Sequence, residues 1–266
     1  MYRIGYRTAS FGDWPLEQVF KTLGRLGYDS IELCLERQEL RPTGLNAKAA
    51  REITDTAESC GLRIHSLSFH GDRMPWPERV EQQKAAVLAA PWFGVNTVVV
   101  NTPRTDAGVA EEEVFAHLTT LAEIAEGEGV LVAVEPEPEL VVGNVAQMLR
   151  VMDRAGRESL GVNLDVGHIF LTEADLPQAI RALQGRVYHT HIEDIAGDVH
   201  KHLIPGEGDI DLPRVFCVLW EIGYRGVVTV DLFGPFDDPA DVAGRALRAT
   251  RDMLRRAMAS ARAKAS

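Results

Sequence analysis

Cysteine is scarce. Only Cys34, Cys60 and Cys217 occur in 266 residues, and they stand far apart. An odd, scattered set builds no disulfide framework and no CxxC metal knuckle, so these read as buried thiols without a chemical role. Basic charge is also short: 28 Lys and Arg face 39 Asp and Glu, for a net charge of −11. That deficit argues against a nucleic-acid partner, since a phosphate-backbone binder carries a basic footprint. It leaves room for an anionic small molecule held by a local cluster. The N-terminal segment MYRIGYRTAS lacks the apolar core of a secretory signal. No run of about 18 apolar residues occurs, so no membrane span is expected and a cytoplasmic location follows by default. No GxGxxG follows the first strand-like segment, which removes the main reason to expect a dinucleotide fold.

What is present is a steady alternation. Short Val- and Leu-rich runs read as buried strands: RIGYRT, YDSIELCL, LRIHSLSFH, NTVVVNTP, LVAVEPEP, LGVNLDV, RVYHTHI and VVTVDLF. Helix patterns fill the gaps, near 15–26, 46–60, 77–90, 109–128, 144–155, 175–183, 212–222 and 239–259. Gly61 stops the second helix, and Asn144 or Gly143 opens the fifth. A long loop precedes the helix at 212, and the Arg- and Ala-rich tail reads as the fraying end of the last helix. Strand–helix alternation implies a parallel sheet. Eight units in 266 residues match the (β/α)₈ TIM barrel, which takes about 250 residues, so residues 1–266 are expected to form one such barrel domain. A hydrophobic fraction of 45% provides the core.

Four of the runs end on a metal-ligand type: VLVAVEP on Glu135, LGVNLDVGH on Asp165 and His168, RVYHTHIED on His191, and GVVTVDLF on Asp231. Strand parity puts Leu131, Ala133 and Glu135 on one face. The same holds for Gly161, Asn163 and Asp165, for Val187, His189 and His191, and for Val227, Thr229 and Asp231. Those faces are expected to line the barrel lumen, because a buried carboxylate needs a partner or a metal. In a parallel barrel the four ends meet on the face where barrel enzymes work. The expected metal set is Glu135, Asp165, His191 and Asp231, holding one Mn²⁺, Co²⁺, Mg²⁺ or Zn²⁺ with positions left for substrate. One such carboxylate alone reads as a helix cap or a salt-bridged loop residue. Four at matching strand ends weigh against that.

Other polar residues fall nearby. His70 ends the third strand and either contacts substrate from the rim or caps a turn. His200, Lys201 and His202 gather in the loop DIAGDVHKHLIPGEG, where all three are candidates for a sugar hydroxyl or phosphate, or else form a solvated loop. His65 and His189 lie deeper and read as core histidines. Glu137 and Glu139 read as rim carboxylates, and Trp14 and Trp76 as loop residues that could stack on a sugar.

With LDVGH and HTHIED as local motifs, this spread resembles the xylose isomerase-like TIM-barrel superfamily. Within it, the chain is most similar to the sugar phosphate isomerase/epimerase group, which includes ketose 3-epimerases and inosose dehydratases. The segment HLIPGEGDIDLPRVFCVLWEIGYRGVVTVD, a Gly-x-Gly loop, a helix and a last strand, is similar to the same group, and the resemblance covers essentially the whole chain. It implies metal ligands at Glu135, Asp165, His191 and Asp231, and a substrate-contacting histidine at His168. It also implies that Glu135 and Asp231 are opposing catalytic acid/base groups. The group usually carries Glu where this chain has Asp231, and the shorter side chain weakens the case for two-base epimerisation. The implied activity is isomerisation or epimerisation of a sugar or sugar phosphate in carbohydrate metabolism, with manganese among the fitting ions. The proton next to a carbonyl is removed to give an enediolate. The same first half-reaction serves a lyase or dehydratase, by inosose-type dehydration or elimination on a 3-keto-glycoside. More remote readings are an endonuclease, disfavoured by the acidic charge, and a barrel that binds a sugar or polyol without turnover. Self-association is left open.

Overall fold

The computed structural model describes residues 2–265, with side chains described through Ala259. Eight parallel strands close on themselves in chain order: β1 (Arg3–Arg7), β2 (Ser30–Cys34), β3 (Arg63–Ser68), β4 (Thr97–Val100), β5 (Leu131–Val134), β6 (Leu160–Asp165), β7 (Val187–Ile192) and β8 (Val227–Val230). Closure is made by β8 against β1, with Ile4 opposite Val228 and Tyr6 opposite Val230. The helices are α1 (Leu16–Leu26), α2 (Ala47–Ser59), α3 (Trp76–Ala89), α4 (Glu111–Glu128), α5 (Val145–Ala155), α6 (Val166–Thr172), α7 (Leu176–Ala182), α8 (Leu212–Glu221) and α9 (Pro239–Ala265). The architecture is a (β/α)₈ TIM barrel, as the alternation implies.

Alternation along each strand separates two environments. Ile31, Leu33, Val98, Val100, Val132, Val134, Val162, Leu164, Val228 and Val230 are all fully buried. They form the layer between sheet and helices, where each such side chain contributes roughly 1.5–3 kcal/mol. The opposite face is polar and meets across the lumen. His65 Nε2 lies 2.9 Å from Thr229 Oγ1 and 3.1 Å from His189 Nε2, and Ser66 Oγ lies 3.0 Å from that same nitrogen. Polar groups fit here because they satisfy one another.

Asx caps start several helices: Asn46 for α2, Asn144 for α5, Asp175 for α7 and Asp211 for α8. One helix was not expected. The chain turns from β6 straight into α6, where Asp165 Oδ1 accepts from His168 N at 2.8 Å. A ligand-type residue serving also as the cap hides that helix from a periodicity reading. The last helix also runs past 259, through Arg- and Ala-rich sequence that favours it. Cys34 is buried, whereas Cys60 and Cys217 are half-buried, and all three are free thiols. No helix among the described residues is long and apolar enough to cross a membrane.

Candidate functional site

The C-terminal ends of β5 to β8 deliver their polar residues to one point. Glu135, Asp165, His191 and Asp231 are each at most 1% exposed. His191 Nδ1 lies 3.2 Å from Glu135 Oε2, 3.4 Å from Asp231 Oδ2 and 3.7 Å from Asp165 Oδ2. Ligands at about 2.0–2.2 Å from one tetrahedral ion stand about 3.3–3.6 Å from each other, so the spacing suits a shared cation. Asp165 Oδ2 is buried with no hydrogen-bond partner, an orphan that an ion would satisfy. Three oxygens and one imidazole nitrogen form a donor set for a divalent metal.

The next layer out orients this set. His191 Nε2 lies 3.0 Å from Glu32 Oε2 on β2. Burial pushes Glu32 upward, but His191, His189 and Arg7 outweigh it and hold the carboxyl well below its usual range. An ionised Glu32 accepts from Nε2–H and aims Nδ1 at the three carboxylates, the carboxylate–histidine arrangement that fixes a metal-ligating imidazole. Asn163 Nδ2 donates to Glu135 Oε2 at 2.7 Å and lies 3.0 Å from His191 Nδ1. Burial disfavours the His191 cation, yet Glu32, Glu135 and Asp231 together raise it well above a free imidazole. Glu135 is likewise raised by burial, and more than offset by His191 and His70, so it sits well below the usual carboxylate range.

Arg7 closes the floor from β1. It is 2% exposed, with Nε 3.0 Å from Glu32 Oε1 and Nη1 3.2 and 3.4 Å from the two Asp231 oxygens. Glu193, two residues past His191, is fully buried and accepts from the backbone N–H of Gly167. Burial first and the Asp165 carboxylate second push its pKa well up.

The histidines expected at the mouth are close by. His70 Nε2 lies 3.4 Å from Glu135 Oε2 and its Nδ1 3.5 Å from Arg7 Nη2. His70 is thus part of the buried cluster, away from the rim. His168 Nδ1 lies 3.4 Å from Glu135 Oε1 and 3.4 Å from Asp165 Oδ1. His202 is buried, with Nδ1 3.0 Å from the Asp231 carbonyl oxygen. Lys201 and His200 are exposed on the same loop. Asp194 pins that loop, its carboxylate accepting from Ile195, Ile210 and Gly206 N–H groups at 3.0, 3.0 and 2.8 Å. A Cβ on Gly208 would strike Asp194 and the Ile195 backbone, so the second glycine of GEG is needed for this close approach. His65 and His189 lie in the lumen below, as their mid-strand positions imply. Trp76 opens α3, where its Nε1 donates to Glu113 at 2.7 Å, and Trp14 packs on Phe11.

Arg7, Glu32 and Glu193 escaped the sequence reading, and Asn163 was placed on the lumen face without a role. A signal existed for the first two. Each is a charged residue inside or at the end of an otherwise buried strand, with the parity of the lumen face. Attention to the ends of the last four strands alone passed over them.

Comparison with known proteins agrees with the fold. The family model described as xylose isomerase-like TIM barrel matches residues 20–255. An inosose isomerase of Bacillus velezensis is 26% identical over 237 residues, spanning 83% of this chain and 84% of that one. A fructoselysine 3-epimerase of Shigella flexneri is 24% identical over 270 residues, spanning 95% and 98%. A crystal structure of the IOLI protein, described with a binding zinc atom, superposes with a TM-score of 0.78 at 21% identity and covers 95% of this chain and 98% of that one.

Proposed function

Because the chain belongs to the xylose isomerase-like TIM-barrel family, we propose that it is a divalent-metal-dependent isomerase or epimerase. The substrate is a sugar, sugar phosphate or polyol ketone. The observation that carries this reading is the convergence of three buried carboxylates on His191 Nδ1, with one carboxylate oxygen left orphaned. Glu135, Asp165, His191 and Asp231 hold the ion, and the relatives named as an inosose isomerase and a 3-epimerase supply the substrate class. When bound, the ion supplies Lewis-acid polarisation of a carbonyl and its neighbouring hydroxyl.

The chain's own residues then handle protons. Glu135 takes the proton from the carbon next to the carbonyl. His70 Nε2 and His168 Nδ1 flank the two Glu135 oxygens and orient the carboxylate. Burial drives His168 down to about 4, so it works as a neutral imidazole at neutral pH, with Nδ1 beside Glu135 and Asp165. His202 and Lys201 line the mouth and hold the far hydroxyls or phosphate.

Arg7 sorts among the products. Its Nη1 donates to both Asp231 oxygens, so the Asp231 carboxylate is engaged by the guanidinium and less free to approach substrate than Glu135. A strict two-base inversion is therefore less favoured than transfer by one base. Glu135 takes the proton from one carbon and returns it to the adjacent carbon on the same face. The same asymmetry favours a second reading, elimination of a β-hydroxyl after Glu135 removes the proton. The test is turnover of inososes, ketoses and 3-keto-glycosides in D₂O, followed by NMR. Deuterium at the former carbonyl carbon marks isomerisation, deuterium with inversion at the carbon next to the retained carbonyl marks epimerisation, and loss of water marks dehydration. Turnover that survives both EDTA and His191→Ala would refute metal dependence.

A further inference from the structure

We propose that the cavity at the ends of β1, β2, β3 and β8 is a subsite for an anionic group of the substrate, a phosphate or a carboxylate, held by Arg41 and Arg73. The assignment rests on the reading of the carboxylate cluster as the catalytic centre and adds the chemistry of the substrate's far end.

The cavity measures about 530 Å³, within the roughly 300–1,000 Å³ of small-molecule sites. Its walls follow directly on residues of the catalytic cluster. Ala9 and Ser10 come just after Arg7, Gly71 comes after His70, and Phe233 stands two residues past Asp231. The Phe233 ring centre lies 5.4 Å from the Arg7 guanidinium carbon. The cavity therefore adjoins the side of the cluster made by Arg7, His70 and Asp231.

Four charged residues line it: Glu36, Arg41, Asp72 and Arg73. The two carboxylates are already engaged. Glu36 Oε1 accepts from the backbone N–H of His70 at 2.5 Å and of Gly71 at 3.2 Å. Asp72 Oδ1 accepts from Asn101 Nδ2 at 3.0 Å and lies 3.6 Å from Arg79 Nη2. The two arginines have no anionic partner among the described residues. Arg73 is exposed and its side chain makes no hydrogen bond or ion pair there. Arg41 is half-buried, with its guanidinium carbon 5.9 Å from the Phe69 ring centre and Nη1 3.3 Å from Met74 Sδ.

Arg41 is an exception among its kind. The other described arginines withdrawn from solvent are Arg7, Arg37, Arg79, Arg186 and Arg214, and each reaches an oxygen of a carboxylate or a carbonyl. Arg41 reaches only a sulfur and a ring face. A guanidinium that loses water and gains no acceptor carries a desolvation cost, and an incoming anion offsets it. The planar fork of arginine matches the paired oxygens of a carboxylate or phosphate. A neutral hydroxyl accepts a hydrogen bond and leaves the charge uncompensated. The whole chain carries a net charge of −11, so an unneutralised positive cavity at the mouth also draws anions to the one place that welcomes them. An anion seated there leaves the loop after β7 to the substrate's hydroxyls.

The experiment is calorimetric binding to the full chain, stripped of metal with a chelator and desalted so that no ion in the carboxylate site captures the probe. The probes are inorganic phosphate, D-glucose, D-glucose 6-phosphate and D-glucuronate, the last three sharing a ring and differing in the end group. Inorganic phosphate and at least one charged sugar should bind, and glucose should not. Arg41→Met and Arg73→Ala should each weaken the charged probe about tenfold or more, and added salt should weaken it as well. Arg73 is exposed, so Arg73→Ala keeps the fold even if Arg41→Met disturbs the packing on Phe69. Preference for glucose 6-phosphate assigns a phosphate, and preference for glucuronate a carboxylate. Equal binding of all three sugars, or no binding of any charged probe, overturns the subsite. Binding of charged probes that survives both arginine changes overturns it too, and its loss in Lys201→Met would then place the anion on the loop after β7. None of these outcomes alters the metal requirement or the turnover in D₂O, so the subsite and the catalytic reading fail separately.

Discussion

Arg7→Met is the most informative perturbation. Arg7 is 2% exposed, and its two partners, Glu32 and Asp231, are completely buried. Methionine keeps much of the volume and removes the charge. Two buried carboxylates then lose their shared cation, and breaking a buried pair by removing one partner costs about 3–5 kcal/mol. For a chain of this size that corresponds to a fall in Tm of roughly 6–20 °C, at about 2–4 °C per kcal/mol. The loss should be largest in EDTA. A bound divalent ion supplies positive charge to Asp231 in place of the guanidinium, so the variant should bind the ion more tightly than wild type. A tenfold gain in affinity is about 1.4 kcal/mol, and the deficit should shrink by about that much when saturating Mn²⁺ replaces EDTA. A double-mutant cycle with Asp231→Asn isolates the pair and should give a coupling of about 1–3 kcal/mol. Thermal unfolding followed by circular dichroism, with and without metal, measures every term. A deficit in EDTA below about 1 kcal/mol, or one that metal leaves unchanged, would refute the view that Arg7 substitutes for part of the missing cationic charge.

Metal binding should release a proton. His191 is held well above a free imidazole by its three carboxylates, and a bound ion must take the Nδ1 lone pair, so calorimetry in buffers of different ionisation enthalpy should report about one proton released per ion near pH 7. Glu137 gives a pH signature. Burial first, then Glu135, push it up to about 7, so its charged form is disfavoured in the fold and wild-type stability falls as pH rises from about 4.5 through 7. Glu137→Gln should match wild type near pH 5 and exceed it at pH 8 by at most about 3 kcal/mol in EDTA, as read from Tm. An identical Tm difference at both pH values would contradict this. Gly167→Ala should destabilise by roughly 1–3 kcal/mol, because its Cβ would sit 2.5 Å from Glu193 Oε1, and chemical denaturation measures the loss.

The barrel was legible because buried parallel strands are short continuous apolar runs and their helices carry a different period. The four residues at the ends of β5 to β8 were legible for the same reason, since a carboxylate or imidazole stands out where an apolar run stops. Glu32 and Arg7 were harder. Glu32 sits inside SIELC, where one charge among apolar neighbours looks like a solvent-facing residue of a half-exposed strand. Its role appears only when β7 brings His191 across the lumen, 159 positions later in the chain. The position of His70 changed for a related reason. From the end of β3 it was expected at the rim, but its side chain turns inward towards Glu135. The helix α6 was hidden because Asp165 has two roles at once, ending a strand and capping a helix.

The reach of Arg7 has a consequence for how the chain comes to be folded. Arg7 and Asp231 are separated by 224 positions. During synthesis β1 emerges long before β8, and until β8 arrives the Arg7 guanidinium can meet Glu32, Ser68 and His70 but not Asp231. Such distant pairing makes closure slow and entropically demanding. Burial of Arg7, and assembly of all four strand ends around His191, can occur only when the ring of strands shuts. A nascent barrel lacking β8 thus has no complete place for an ion. On the proposed reading, metal capture would follow closure of the ring and so belong to the final act of folding.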